Sequence, residues 1–422
     1  MYISGRFVRN HPPAPSNFPK EVMPIITVVD ARMGRGKSSA AMRYMNEHKD
    51  DKRFLYITPF LSEVERVCRT CDFEQPDCSS GSKSRTLKKY LQEGENVAAT
   101  HSLFYLMDAE AIGILHDMHY TLIVDESISL IASEPVSPWD KAMLMELYVQ
   151  EDKDHKLTWT EPQYTGAFKD MRKKIESGTL YSTNLGFMKI ANPSILRACD
   201  DVFMLTYMLK GQYQYAYLRY FGFKYRVVGI KEDAEGFYFS DCPDDPPPID
   251  YSKLIHILDD DALNEIGDGR TALSVSWFAA HGETSPEILA LRNNLNTFYH
   301  YRCPDSDKNT RMWTCFKDYA DSLLYDRGRY KGSFVQVGAR ATNDLSDRIY
   351  LAYLANRFLD PNIAKFFADK NIRIASRDFA LAEMLQWIWR SAIRVNEEIW
   401  LYVPSSRMRF LLKDWMREVN RS

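Results

Sequence analysis

The stretch Ile25 to Ala41, IITVVDARMGRGKSSAA, constrains this 422-residue chain more than any other. Ile25-Ile26-Thr27-Val28-Val29 is a short β-branched run and reads as a buried strand. A turn with Gly34 and Gly36 follows, ends in Lys37-Ser38, and runs into Ser39-Ala40-Ala41-Met42-Arg43-Tyr44-Met45, which reads as a helix. Strand, glycine turn, Lys-Ser and helix in that order make a phosphate-binding loop. Ala31 stands where the first Gly of the pattern usually falls, and the physics survives the change. Gly34 and Gly36 let the backbone bend round a phosphate, and the helix start aims N–H groups and partial positive charge at it. Lys37 can reach the β and γ phosphates, and Ser38 can offer its hydroxyl to Mg²⁺. The expected cofactors are therefore ATP and Mg²⁺. The binding residues are Ala31, Met33, Gly34, Arg35, Gly36, Lys37, Ser38 and Ser39.

A second apolar strand, His119 to Val124, ends in Asp125-Glu126-Ser127. Asp125 at such a strand end can hold Mg²⁺ together with Ser38. Glu126 is expected to polarise the attacking water, since a general base must lie within hydrogen-bond reach of it.

Composition bounds the rest. Apolar residues make up 45% and charged residues 26%, as in an ordinary soluble domain protein. The net charge is −3, so nucleic acid, if bound, must be held by a local groove rather than a global basic field. No apolar run approaches the roughly 18 residues of a membrane span, and no signal-peptide core opens the chain. Seven cysteines fit free thiols in a reducing, cytoplasmic compartment. Cys68, Cys71 and Cys78 lack the fourth ligand that a structural zinc site requires.

Strand and helix patterns alternate through both halves, the mark of parallel sheets with crossover helices. Residues 1–24 are a proline-rich lead-in. Residues 25–231 are expected to form the first domain, with a mostly helical insertion at 134–195. The acidic, proline-rich stretch 232–250 is expected to be the linker, and 251–422 the second domain. In the second half, Ser333–Val337 reads as a strand and Leu381–Ile393 as a helix. That helix would carry Arg390 and Arg394 on one face.

The order of these motifs resembles the superfamily 2, DEAD-like helicases, most of all the compact helicases of bacteriophages. Ala31 to Ser38 matches the first motif. Tyr56-Ile57-Thr58-Pro59 with Glu63-Val64, and Ala99-Thr100-His101-Ser102, match the two that follow. Asp125-Glu126-Ser127 stands at the Asp-Glu motif, and Leu205-Thr206-Tyr207-Met208 at the third numbered motif. Gly338 to Asp344 resembles motif V and Gln386 to Arg394 motif VI, with Trp389 where the family has Gly. The resemblance implies two RecA-like α/β domains, each a mainly parallel sheet flanked by helices, with ATP in the cleft between them. It implies catalytic roles for Lys37, Asp125, Glu126, Gln386, Arg390 and Arg394, with Arg394 favoured as the arginine finger. It implies a coupling role for Thr206, and nucleic-acid contacts at Thr58, Pro59, Thr100, His101, Thr342 and Asn343.

The expected function is an ATP-dependent helicase or translocase on single-stranded or tailed duplex nucleic acid, DNA favoured. The setting would be phage replication or recombination in the host cytoplasm, as a monomer that meets replication or recombination proteins. The alternative is an ATP-gated DNA-binding, origin-melting or remodelling factor without processive unwinding. A packaging-type motor would need a nuclease site, and Asp259-Asp260-Asp261 reads better as a solvated turn.

Overall fold

The computed structural model describes residues 23–126, 128–242, 249–324, 330–338 and 345–420. In chain order the strands of the first half are β1 (Ile26–Asp30), β2 (Arg53–Thr58), β3 (Val97–Thr100), β4 (Tyr120–Asp125), β5 (Ile131–Glu134), β6 (Val149–Glu151), β7 (Leu157–Trp159), β8 (Leu180–Thr183), β9 (Gly186–Ile190), β10 (Asp201–Thr206), β11 (Tyr225–Asp233) and β12 (Gly236–Ser240). Seven of them form one sheet in the order β12-β11-β1-β10-β4-β2-β3. All neighbours run parallel except the β11–β12 pair. The inner strands β1, β4 and β10 are mainly apolar and buried along nearly their whole length, as expected of a parallel sheet covered on both faces.

Register decides where chemistry can sit. Asp30 lies opposite Thr206, and Leu205 lies opposite Asp125. The ends of β1, β10 and β4 are thus level at the carboxyl edge of the sheet, where open α/β sheets bind ligands. From the end of β1 the chain turns into α1 (Lys37–His48). Ala40, Ala41, Met42 and Met45 of α1 pack on Val29, Tyr56, Ile123 and Leu205.

The second half has β13 (Ile255–Ile257), β14 (Arg311–Thr314), β15 (Tyr350–Tyr353) and β16 (Ile399–Tyr402). They form a parallel sheet in the order β13-β16-β15-β14. Two mainly parallel sheets flanked by helices were expected, and that is the architecture found.

Four expectations need correction. The insertion is not mostly helical. Its helices Pro138–Leu147 and Lys169–Glu176 accompany a three-stranded antiparallel sheet, β5-β9-β8, and the β6–β7 hairpin. Tyr181, Thr183 and Phe187 favour strands, and Asn184 suits the turn between them. The stretch 232–242 is not linker. Asp233-Ala234-Glu235-Gly236 is the tight turn of the β11–β12 hairpin, with Gly236 at φ 109°. Acidic and glycine-rich composition marks a turn as readily as a linker.

Residues 333–337 make a single bridge, Trp313 to Phe334, rather than a strand. The helix expected to reach Ile393 spans Ser376–Ile388. Ser391 ends it by donating both its backbone N–H and its hydroxyl to the Ile388 carbonyl.

The halves are also joined in a way the sequence does not suggest. The helix Pro361–Ala368 belongs to the second half, yet Ile363, Phe366 and Phe367 lie in the core of the first sheet, beside Tyr217 and Leu130. Asn362 accepts from the Thr183 hydroxyl at 2.5 Å and donates to the Phe187 carbonyl at 3.2 Å.

Candidate nucleotide site

Gly34 and Gly36 have φ of 77° and 75°, a left-handed backbone that side chains other than Gly rarely adopt. They turn the loop so that α1 begins at Lys37 with its first N–H groups facing outward. Lys37 Nζ donates to the Ala31 carbonyl at 2.6 Å and the Arg32 carbonyl at 2.9 Å, which holds the ammonium over the loop.

Ser38 Oγ donates to Asp125 Oδ2 at 2.8 Å, and the Tyr56 hydroxyl donates to the same oxygen at 2.5 Å. Burial raises the Asp125 carboxyl above its usual range, an effect that the Tyr56 and Ser38 hydrogen bonds oppose. His101 Nε2 donates to the Asp125 backbone carbonyl at 3.1 Å. Asp125 is therefore held from α1, from β2 and from the residue that follows β3. Glu126 follows it at φ 60°, which turns its side chain into the cleft beside Asp125.

A cleft of about 450 Å³ is lined by Met33, Gly34, Gly36, Lys37, Ser38, Ser39, Asp125, Glu126 and Thr206 from the first half, and by Gln386, Trp389, Arg390 and Arg394 from the second. Gln386 lies on the last turn of its helix, Arg390 in the turn that follows, and Arg394 on the short 3-10 turn Ala392–Val395. The two arginines share the cleft without sharing a helix face. Burial lowers the Arg390 pKa, and the carboxylates of Glu126 and Glu383 work against that shift. A guanidinium of the second half thus feels a carboxylate of the first.

Other expected residues are distributed differently. Arg35 turns away from the cleft, and its Nη2 donates to the Ile230 carbonyl at 3.3 Å. Thr58 is fully buried, and among the described residues its hydroxyl has no hydrogen-bond partner. His101 is also buried, so its side chain braces Asp125 from inside the domain. Pro59 and Thr100 are half-buried at the ends of β2 and β3. Thr342 and Asn343 lie outside the described residues.

The sequence alone gives no role to Tyr56, although it falls in a matched motif, and none to Phe237. A Tyr inside an apolar strand needs a partner for its hydroxyl, and that was the available signal for Tyr56. Phe237, on β12, lines the cleft beside Gly36.

The donor set suits a magnesium nucleotide. A hydroxyl and a carboxylate are hard oxygen ligands, and the loop is an anion cradle of N–H groups. Among the described residues no three His, Cys, Asp or Glu side chains gather to hold a metal. The rest of a Mg²⁺ shell would come from nucleotide and water.

Fold and site together define a two-sheet α/β protein in which the glycine loop at the carboxyl edge of the first sheet shares a cleft with arginines of the second half. The same fold occurs in the solved structure of S. tokodaii Xpd4, at 11% identity and a TM-score of 0.50, with 93% of this chain and 94% of that one covered. An XPD helicase structure matches at 12% identity and a TM-score of 0.40, covering 92% and 94%.

The chain belongs to the YonV family. It is 32% identical over 410 residues to the SPbeta prophage-derived uncharacterized protein YonV of Bacillus subtilis (strain 168), covering 93% of this chain and 98% of that protein. Residues 249–416 match the family model of the YonV C-terminal Rossmann-like domain. Among the described residues no helix is long and apolar enough to cross a membrane.

Proposed function

We propose that this protein is a nucleic-acid-stimulated ATPase of the helicase or translocase type, acting on single-stranded or tailed DNA in phage replication or recombination. One observation carries the reading. Lys37, Ser38, Asp125 and Glu126 from the first half and Gln386, Arg390 and Arg394 from the second line a single cleft.

In this reading the N–H groups at the start of α1 and Lys37 bind the β and γ phosphates. Ser38 and Asp125 hold Mg²⁺, which neutralises charge on the phosphates. Glu126 orients the attacking water and takes its proton. Arg390 or Arg394 meets the charge that grows on the γ-phosphoryl oxygens, and the two halves must be closed for it to do so. Pro59 and Thr100, at the carboxyl edge of the first sheet, would contact the strand's backbone, which carries no sequence information. Thr342 and Asn343 would do so on the second half, and Thr206, in the cleft beside Tyr207, would transmit closure.

A second reading is an ATP-gated DNA-binding or melting factor that does not unwind processively. It is favoured by the helix Pro361–Ala368, whose burial in the first domain's core restricts how far the halves can part. Strand displacement on tailed DNA and RNA duplexes, with ATP turnover measured alongside, separates the two. Turnover with displacement supports a helicase, and turnover without displacement supports the second reading. No turnover with any nucleic acid rejects both.

A further inference from the structure

The phosphate loop accounts for the phosphates of a nucleotide and leaves its base without a partner. β12 supplies an aromatic ring at that site. Phe237 and Phe239 alternate onto the face of the hairpin that covers α1. Phe239 stacks on Phe203, ring centres 5.5 Å apart, and sits against the core. Phe237 is half-buried like Phe239 and packs against the same core, but it lies one rung closer to the loop and also lines the cleft. Its ring lies so close to Gly36 that a Cβ there would meet it at 2.3 Å. Gly36 is therefore required twice, once for its φ of 75° and once to let the ring approach.

We infer that Phe237 is the platform on which the nucleotide's base stacks, so that this hairpin sets the base end of the site. The inference rests on the nucleotide reading above and deepens it. A half-exposed ring beside Gly36 and Ser39 offers a flat apolar face next to the point where the phosphates are gripped. Base–aromatic stacking tolerates any base, because every base has a π face, and it strengthens with ring size. The hairpin is held down independently of any ligand. Arg43 of α1 pairs with Asp233 at 2.7 Å and donates to the Gly236 carbonyl at 3.2 Å.

The test compares Mg·ATP with magnesium tripolyphosphate, which has the phosphates and no base, by calorimetry on the full chain. Phe237→Leu keeps an apolar side chain against Gly36 and removes the π face. Its ATP affinity should fall roughly ten- to a hundredfold while tripolyphosphate affinity stays within about twofold. Phe237→Trp should restore ATP binding. Equal loss of both ligands would make Phe237 a structural support of the loop and overturn the inference, as would unchanged ATP affinity in Phe237→Leu. If the unaltered protein binds neither ligand, the nucleotide reading itself fails, which is a different result.

Discussion

Ser38 Oγ stands 2.8 Å from Asp125 Oδ2, joining the start of α1 to the end of β4 across 87 residues of sequence. That contact is the hinge of the nucleotide reading, since it brings a hydroxyl and a carboxylate together where Lys37 overhangs. Lys37→Ala should remove a charge-assisted contact to phosphate and abolish ATP turnover with the fold intact. Turnover at the unaltered rate, with an unchanged circular dichroism spectrum, would contradict the assignment.

Asp125 is costly to the ligand-free protein. Burial raises its carboxyl pKa, so between the ordinary Asp value and the raised one the folded state binds more protons than the unfolded state. Stability from this group is therefore greatest at low pH and lost as pH rises through the raised folded value. Asp125→Asn should remove that loss, raising the thermal midpoint near neutral pH while eliminating Mg²⁺-dependent hydrolysis. Melting curves across pH test it, and a lowered midpoint at neutral pH would count against the account.

Glu126→Gln should separate binding from chemistry. Mg·ATP affinity should hold within a fewfold, because Ser38, Asp125 and Lys37 are untouched, while turnover falls by roughly a hundred- to ten-thousandfold. Single-turnover kinetics read both quantities. Hydrolysis at the unaltered rate would remove Glu126 from the role of base.

Gly211 tests the joint between the halves. A Cβ there would meet the backbone N of Phe379 at 2.5 Å and the backbone C of Asp378 at 2.6 Å, both in the helix Ser376–Ile388 that carries Gln386. Backbone cannot step aside as a side chain can, so Gly211→Ala should cost about 1–3 kcal/mol. It should also lower turnover more than ATP affinity, because the second half is displaced while the phosphate loop is not. Denaturant melts and steady-state kinetics together check this, and a neutral substitution would show that the contact does not hold the halves in place.

Much of the first domain's edge was legible because its signals are local. The β-branched run before Ala31 and the apolar run before Asp125 each state a strand, and the residues that follow state what the strand end carries. Arg390 and Arg394 were legible as residues but not as geometry. Their expected helix ends at Ile388 because Ser391 caps it, and the apolar neighbours Trp387 and Trp389 gave no warning of that. Phe237 was hidden by its surroundings, since Asp, Glu and Pro around it read as a joint. The helix Pro361–Ala368 could not have been assigned from its own residues. Its apolar face fits either half, and only the path of the chain brings it against Tyr217 and Leu130. Thr58 and His101 are expected to touch nucleic acid because they fall in the matched motifs at strand ends, whereas packing at those strand ends buries both.

The central claim is that one catalytic site is assembled from both halves. It is tested most directly by the ATPase rates of Arg390→Ala and Arg394→Ala, with and without single-stranded DNA. ATP binding should survive in both, since neither touches the phosphate loop. The variant that lacks the finger should lose DNA-stimulated hydrolysis by about a thousandfold or more. Full stimulation in both variants would contradict the account, because the second half would then take no part in the reaction.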